Sequence, residues 1–191
     1  MSRRLIVGLG NPGPEYADNR HNVGFRCVER FASAHHLPFN RRQKNALVAM
    51  GTIRQQSVIL AKPRTFMNRS GYPVAAVANF YRVSLDCLLV VYDDLDLPPG
   101  TTRMRSSGGA GGHRGMQSVI RQLGSREFPR LRIGIGRPPG RMDPADYVLQ
   151  DFSPEEAPLM DDALAQAVAA IETWMDHGID EAMSRYNRSA V

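Results

Sequence analysis

The sequence has few of the residues that support a disulfide framework, a cysteine-based zinc site or a membrane span. Its 191 residues include two cysteines, Cys27 and Cys87, which lie sixty positions apart. This spacing excludes a disulfide-rich scaffold and paired-cysteine zinc ligands, and it is typical of a reducing compartment. No apolar run approaches the roughly 20 residues of a membrane-spanning helix, and the stretch before Gly8 is too short for a signal peptide. We therefore expect a cytoplasmic protein without a membrane partner.

Lysine is also scarce, because only Lys44 and Lys62 are lysines among 24 basic residues. The net charge of +5 is uneven: residues 1–142 carry a surplus of 14 positive charges, whereas residues 143–184 contain 11 acidic residues and no basic one. Arginine binds phosphate through paired hydrogen bonds, so the surplus fits a nucleic-acid partner. An arginine-biased but ordinary solvated surface fits it equally well, and the acidic segment is expected to face away from a polyanion.

The residues that are present favour an α/β domain. Hydrophobic residues make up 42% of the chain and charged residues 23%, as in globular proteins. Apolar and β-branched runs predict strands, and apolar residues at helical spacing predict helices, with Asn22 as the N-cap of the first helix. The strands are predicted at 4–8, 46–53, 57–62, 88–92, 101–105 and 131–136, and the helices at 22–36, 70–81, 113–123, 154–177 and 179–187. This alternation predicts a single domain over residues 1–191, with a mixed, mostly parallel twisted sheet and helices on both faces.

Polar and glycine-rich segments follow three of the predicted strands, at residues 8–13, 62–68 and 93–96. In open α/β sheets, ligands bind outside the carboxyl ends of the strands, so we expect these segments to converge on one site. His21 and His113 lie at loop-to-helix junctions near the same edge. A lone loop histidine is more often structural, but histidines beside an aspartate, asparagines and glycines favour a functional site.

Several familiar motifs are incomplete. Residues 8–13 have the spacing of a dinucleotide-binding loop, but Pro12 and Pro14 lie where its helix should begin. The glycine-rich segment 108–112 lacks the lysine and hydroxyl residue of a P-loop. The acidic residues in 93–96 could hold magnesium, end a strand as solvated groups, or orient a histidine. No paired Cys/His spacing indicates a zinc enzyme.

Five blocks of sequence, taken together and in order, resemble the bacterial peptidyl-tRNA hydrolase family. They are residues 8–16 (GLGNPGPEY) with 20–24 (RHNVG), 62–71 (KPRTFMNRSG), 92–100 (YDDLDLPPG), 108–115 (GGAGGHRG) and 128–136 (FPRLRIGIG). The resemblance covers nearly the whole chain. It implies a single α/β domain, a monomer without metal or other cofactor, and hydrolysis of the ester between a peptide and the 3′-terminal ribose of tRNA.

The resemblance also implies catalytic roles. His21 takes a proton from the attacking water, and Asp93 holds its ring and favours the imidazolium that forms. Asn11 and Asn68 position the carbonyl group and donate to the oxyanion. The Asn11 position also helps to distinguish N-blocked substrates from free aminoacyl-tRNA.

Further residues are implied as tRNA or substrate contacts. Tyr16 and Phe66 would stack on the terminal adenine, unless they are ordinary packing beside the cleft. Arg105 and Arg132 would bind the 5′-phosphate, unless they are solvent-facing arginines on adjacent strands. His113 is expected among the substrate contacts as well.

Arg114 departs from the family pattern, in which asparagine usually follows the histidine. Arginine donates hydrogen bonds but cannot accept them, so Arg114 can donate to the peptide carbonyl or contact phosphate but cannot copy an accepting amide. We expect Arg114→Asn to change substrate affinity more than pH dependence.

The main alternative to a hydrolase is a catalytically silent RNA-binding relative. Two further alternatives are a metal-dependent nuclease or phosphotransferase built on the acids of 93–96, and a dinucleotide oxidoreductase.

Overall fold

The computed structural model describes residues 3–187, so Arg188, counted above in the sequence charge, lies outside the described residues. The strands are β1 (Arg3–Gly8), β2 (Arg41–Gln43), β3 (Ala46–Ile53), β4 (Gln56–Pro63), β5 (Leu88–Asp94), β6 (Thr102–Arg105) and β7 (Arg130–Gly134). The helices are α1 (Val23–Ala34), α2 (Gly71–Phe80), α3 (Arg114–Leu123), α4 (Pro144–Tyr147), α5 (Ala157–His177) and α6 (Ile179–Tyr186). Short 3-10 turns lie at Pro14–Tyr16, Arg20–Asn22, Met67–Arg69 and Leu85–Cys87.

The strands form one mixed sheet in the order β2-β3-β4-β1-β5-β7-β6. The four neighbouring strands β4, β1, β5 and β7 are parallel, whereas β3 pairs antiparallel with β2 and β4, and β6 pairs antiparallel with β7. The parallel centre is apolar because helices cover it on both faces. The predicted α/β fold with a mixed sheet is therefore confirmed.

Two apolar cores lie on the two faces of the sheet. One packs α1, α5 and α6 against Ile6, Leu89 and Val91, and the other packs α2 and α3 against Leu5, Val7 and Val90. Alternate residues of the same strands thus enter opposite cores. Among residues 3–187, no helix is long and apolar enough to cross a membrane.

The start of α1 lies unusually close to the sheet, and this closeness fixes the segment before it. A Cβ atom on Gly24 would come within 2.5 Å of the Val91 carbonyl oxygen. Only glycine permits that approach. It brings residues 20–22 to the carboxyl end of β5.

Some sequence expectations differ from the structure. Asn22 occupies the N-cap position of α1 as predicted, but its side chain makes no capping hydrogen bond and bonds to the backbone of Asn11 instead. The helix predicted from 154 begins at Ala157, since Ser153 and Glu156 exchange hydrogen bonds as a capping pair over the intervening turn. The edge strand β2 and the single-turn helix α4 were not predicted, because each is too short to show a periodic pattern.

Candidate active site

A cleft of about 860 Å³ opens at the carboxyl edge of the parallel strands. It lies where the sequence predicts convergence, at the ends of β1, β4 and β5. Its walls contain nine of the ten candidate site residues: Asn11, His21, Phe66, Asn68, Asp93, Arg105, His113, Arg114 and Arg132. The tenth, Tyr16, lies outside the lining and contacts Phe66.

Two histidines share one buried carboxylate at the centre of this cleft. Asp93 accepts a hydrogen bond at Oδ2 from His21 Nδ1 and another at Oδ1 from His113 Nε2, each at 2.8 Å. The Asp93 side chain is only 2% exposed, so these bonds satisfy a carboxylate that has little access to water. Sequence reasoning linked Asp93 to His21 but missed its bond to His113.

The hydrogen bonds fix the tautomer of each ring. His113 Nδ1 accepts from the Met116 backbone N–H at 3.2 Å, so the proton of the neutral His113 ring is on Nε2, which donates to Asp93. His21 donates from Nδ1, which leaves its Nε2 with a free lone pair. His21 therefore presents a proton acceptor, whereas both nitrogens of His113 are already occupied.

The same contacts shift the pKa values of the site. Burial alone would lower the pKa of His21, but the charge and hydrogen bond of Asp93 outweigh it and raise the pKa above its ordinary value of about 6.5. The positive charge of Arg114 acts in the opposite direction and lowers the His21 pKa. Burial would raise the pKa of Asp93, but the two histidines hold it far below its usual range.

Asn11 is held in one orientation by its neighbours. Its backbone exchanges two hydrogen bonds of 2.9 Å with the Asn22 side chain, and its own Oδ1 accepts from the Met67 backbone N–H at 2.8 Å. The Asn11 Nδ2 group is thereby left as a donor for a ligand in the cleft. Asn68 is exposed at the cleft wall, and its side chain has no hydrogen-bond partner within residues 3–187.

An aromatic pair stands at the mouth of the cleft. The rings of Tyr16 and Phe66 meet edge to face, with centroids 6.2 Å apart, and Phe66 is 57% exposed. An exposed ring beside a cleft is a surface on which a base can stack. Tyr16 supports that ring from outside the cleft.

The two arginines expected to bind phosphate lie on one face of neighbouring strands, but they are not directly opposite each other. Arg105 is paired in register with Arg130, and Arg132 with Arg103. Arg132 Nε donates to Asp94 Oδ2 at 2.5 Å, which leaves its terminal nitrogens for another ligand.

Arg130 was missed by sequence reasoning. It is almost fully buried and donates to the carbonyl oxygens of Gly109 and Arg126, at 3.0 and 2.8 Å, which anchors the glycine-rich loop at the cleft wall. The alternation of arginines in Arg103, Arg105, Arg130 and Arg132 was the available signal, because it places all four on one face.

The acidic residues at the end of β5 and just beyond it do not form a cluster of free carboxylates. Asp94 pairs with Arg132, and Asp96 pairs with Arg137. The donor atoms of His21, Asp93 and His113 lie within 4.8 Å of one another and could hold a metal ion. A metal ion bound through His21 Nδ1 and His113 Nε2 would displace the protons that form both hydrogen bonds to Asp93. These hydrogen bonds already satisfy the two ring nitrogens and the carboxylate without a metal ion.

The segment that carries His21 is tied to the α4–α5 region. The neighbouring Arg20 forms two hydrogen bonds of 2.8 Å with Glu156, and its guanidinium stacks 4.3 Å from the Tyr147 ring. The backbone N–H of His21 also donates to the Val148 carbonyl at 2.9 Å. Sequence reasoning did not identify Arg20, because its partner lies 136 positions away.

Comparison with known proteins gives consistent matches over nearly the whole chain. The peptidyl-tRNA hydrolase family model matches residues 5–191. The peptidyl-tRNA hydrolase of Syntrophomonas wolfei is 52% identical over 184 residues, which cover 96% of this chain and 100% of the relative. That of Chloroflexus aggregans is 53% identical, covering 96% and 98%. A crystal structure of peptidyl-tRNA hydrolase from Acinetobacter baumannii superimposes with a TM-score of 0.91 at 36% identity, covering 96% of this chain and 94% of that one.

Proposed function

The chain belongs to the peptidyl-tRNA hydrolase family, and from that membership we propose how its cleft performs the reaction. The activity is hydrolysis of the ester that joins a peptide to tRNA, as named for the relatives and structural neighbours. These full-length matches favour the hydrolase over a catalytically silent RNA-binding relative. The residue roles below are our proposal.

We propose that His21 is the general base. Its Nε2 lone pair takes a proton from water as the water oxygen attacks the ester carbonyl carbon. The bond between that carbon and the ribose oxygen then breaks, and the protonated His21 returns its proton to the departing oxygen. The Nδ1 bond to Asp93 supports this role because the carboxylate stabilises the imidazolium formed in between. Such base catalysis typically contributes about 10²–10⁴-fold.

His113 is a positioning residue in this proposal. The expectation that it contacts the substrate directly is revised, because Asp93 and the Met116 N–H occupy its two ring nitrogens. By holding Asp93 Oδ1, it keeps Oδ2 directed at His21 and prevents the carboxylate from rotating.

Asn11 is assigned to the oxyanion. Its Oδ1 is occupied by Met67, so Nδ2 is the group that donates to the developing negative charge on the carbonyl oxygen. Asn68, whose side chain is free at the wall, binds the peptide or the 3′ end. A neutral amide stabilises the oxyanion without disturbing the charge of Asp93.

We place the tRNA contacts at the mouth of the cleft. The exposed Phe66 ring, supported by Tyr16, stacks on the terminal base, which typically contributes about 1–3 kcal/mol. Arg105 and the terminal nitrogens of Arg132 bind the 5′-phosphate, and Asp94 fixes the Arg132 side chain from its other edge. We also infer a cytoplasmic monomer, one domain over residues 1–191, no membrane partner, and a reaction without metal or other cofactor.

The shared carboxylate of Asp93 carries this proposal, and a release assay tests it. Purified protein is incubated with N-acetylaminoacyl-tRNA in the presence of EDTA, beside His21→Ala and the matched control His177→Ala, which changes an exposed histidine at the end of α5. We expect release by the unaltered protein and by His177→Ala, and a loss of at least about 100-fold in His21→Ala. Undiminished release by His21→Ala would overturn the assignment of the base, and sensitivity to EDTA would overturn the metal-free reaction.

A further inference from the structure

Every carboxylate that lines the cleft is already engaged. Asp93 accepts from two histidines, Asp94 and Asp96 pair with arginines, and Asp143 caps α4 by accepting from the Ala145 N–H. A positively charged group on a substrate therefore meets no free acid among the described lining residues. The cleft therefore offers no unpaired carboxylate that could bind such a group directly.

Arg114 adds a positive charge beside the catalytic base. It begins α3 directly after His113, is exposed at the cleft wall, and has no hydrogen-bond or ion-pair partner within residues 3–187. The N-terminal end of α3, which also faces this region, contributes a further partial positive charge. The positive charge of Arg114 acts to lower the pKa of His21, so its electrostatic field reaches that imidazole.

The positive charge of Arg114 is balanced against the negative charge of Asp93. With His21 and His113 neutral, the buried Asp93 leaves the catalytic group with one negative charge, which would attract a cationic substrate. Arg114, which lines the same cleft as His21, offsets that attraction. Because arginine stays protonated at every working pH, the offset is permanent.

We propose that Arg114 acts as a charge filter, which repels the α-ammonium group of free aminoacyl-tRNA and admits the neutral amide of peptidyl-tRNA. The proposal rests on the position of the ester beside His21 given above. An α-amino group titrates near pH 8, so it is mostly protonated at neutral pH, whereas a blocked nitrogen carries no charge. Two like charges a few ångströms apart in a partly solvated cleft weaken binding by about tenfold or more.

The proposed filter is tested by comparing hydrolysis rates on three acylated tRNAs whose acyl groups have the same side chain. These are N-acetylaminoacyl-tRNA, unblocked aminoacyl-tRNA, and the α-hydroxyacyl-tRNA in which a neutral hydroxyl replaces the amine. Their kcat/KM values, corrected for spontaneous hydrolysis, are compared for the unaltered protein, Arg114→Asn, Arg114→Lys and Arg121→Gln. Arg121 is the matched control because it is exposed on the same helix, seven residues further on, and does not line the cleft.

We expect Arg114→Asn to raise the rate on the unblocked substrate, relative to the acetylated one, by about tenfold or more. Arg114→Lys and Arg121→Gln should keep the original ratio. The ratio of hydroxyacyl to acetylated substrate should stay within about threefold in all four proteins, because neither carries a charge. Raising the pH from 6.5 to 9 should weaken the discrimination of the unaltered protein and affect Arg114→Asn less.

Two results would overturn the filter. One is an unchanged ratio of unblocked to acetylated rates in Arg114→Asn, and the other is an equal change for the unblocked and hydroxyacyl substrates, which would indicate shape rather than charge. Neither result touches the assignment of His21, because that assignment is read from the acetylated substrate and His21→Ala. The two proposals can therefore fail separately.

Discussion

The Nδ1 atom of His21 lies 2.8 Å from Oδ2 of Asp93, although 72 positions separate the two residues in the chain. The bond joins the 3-10 turn before α1 to the end of β5, and it leaves Nε2 of His21, a cleft-lining residue, free to accept a proton. Because a second histidine holds the other oxygen, the carboxylate has one orientation.

Replacing Asp93 with asparagine should lower kcat by about 10²–10⁴-fold, because the amide cannot stabilise the imidazolium. The loss of the negative charge should also lower the pKa of His21, since burial then acts unopposed. Single-turnover hydrolysis of N-acetylaminoacyl-tRNA measures the first effect. A kcat within threefold of the unaltered protein would contradict the role of Asp93.

Replacing His113 with alanine should lower kcat about tenfold or more and leave KM for tRNA largely unaffected, because His113 acts by holding Asp93. His113→Gln should restore part of the loss, since its amide can donate to the same oxygen. Steady-state kinetics separates kcat from KM. A large rise in KM with unchanged kcat would instead indicate direct substrate contact.

Arg114→Asn should move the acidic limb of the pH–rate profile to higher pH on the blocked substrate. The positive charge of Arg114 lowers the His21 pKa, so its removal lets Asp93 raise that pKa further. This differs from the sequence-based expectation that the substitution mainly affects affinity, which did not consider the charge beside the base. The profile of kcat/KM from pH 5 to 9 measures the shift, and Arg114→Lys serves as the charge-conserving control.

Glu156→Gln should reduce the free energy of unfolding by about 1–3 kcal/mol, because it removes the ionic partner of the buried Arg20. The hydrogen bonds from Arg20 lower the pKa of Glu156, although partial burial opposes this. A lowered folded-state pKa contributes stability above the ordinary pKa of about 4.5 and loses it as the pH falls through the folded-state value.

Urea denaturation at pH 7 and at pH 3 measures both parts of this prediction, and the difference between the two proteins should shrink at the lower pH. Glu181→Gln is the control, because its bond to Arg185 is an exposed pair four residues apart on α6. Glu181→Gln should lower the free energy of unfolding by less than about 0.5 kcal/mol. An equal effect of the two substitutions would contradict the role of Arg20.

The sequence predicted the elements with a clear period and the edge at which the site forms. The runs 88–92 (LLVVY) and 5–7 (LIV) are continuously apolar, so both segments appeared as buried strands, and the polar residues after them marked the cleft. Side-chain partners were harder to predict, because they depend on contacts between distant segments. Asparagine is a common helix-capping residue, but the loop that contains Asn11 lies next to Asn22. The Asn22 side chain therefore bonds to the Asn11 backbone instead of the first turn of α1.

The same reason explains the residues that were missed or reassigned. The role of His113 depends on Asp93, which is 20 positions away, and that of Arg20 depends on Glu156 in another layer. Neither pair has a local spacing that signals it. The resemblance to a family pointed to candidate catalytic residues, and the proposed division between a base and a positioning group rests on the hydrogen bonds of the structure.

The proposed role of His21 is best tested by measuring its pKa by NMR of the imidazole in the unaltered protein. This value is compared with the pKa of the acidic limb of the kcat/KM profile on N-acetylaminoacyl-tRNA. We expect His21 to be the neutral Nδ1–H tautomer at neutral pH, its pKa to lie above about 6.5, and the rate to fall as this group is protonated. Both values should move together in Asp93→Asn. A rate that is independent of His21 protonation, or an Nε2–H tautomer in the resting protein, would contradict the assignment of His21 as the base.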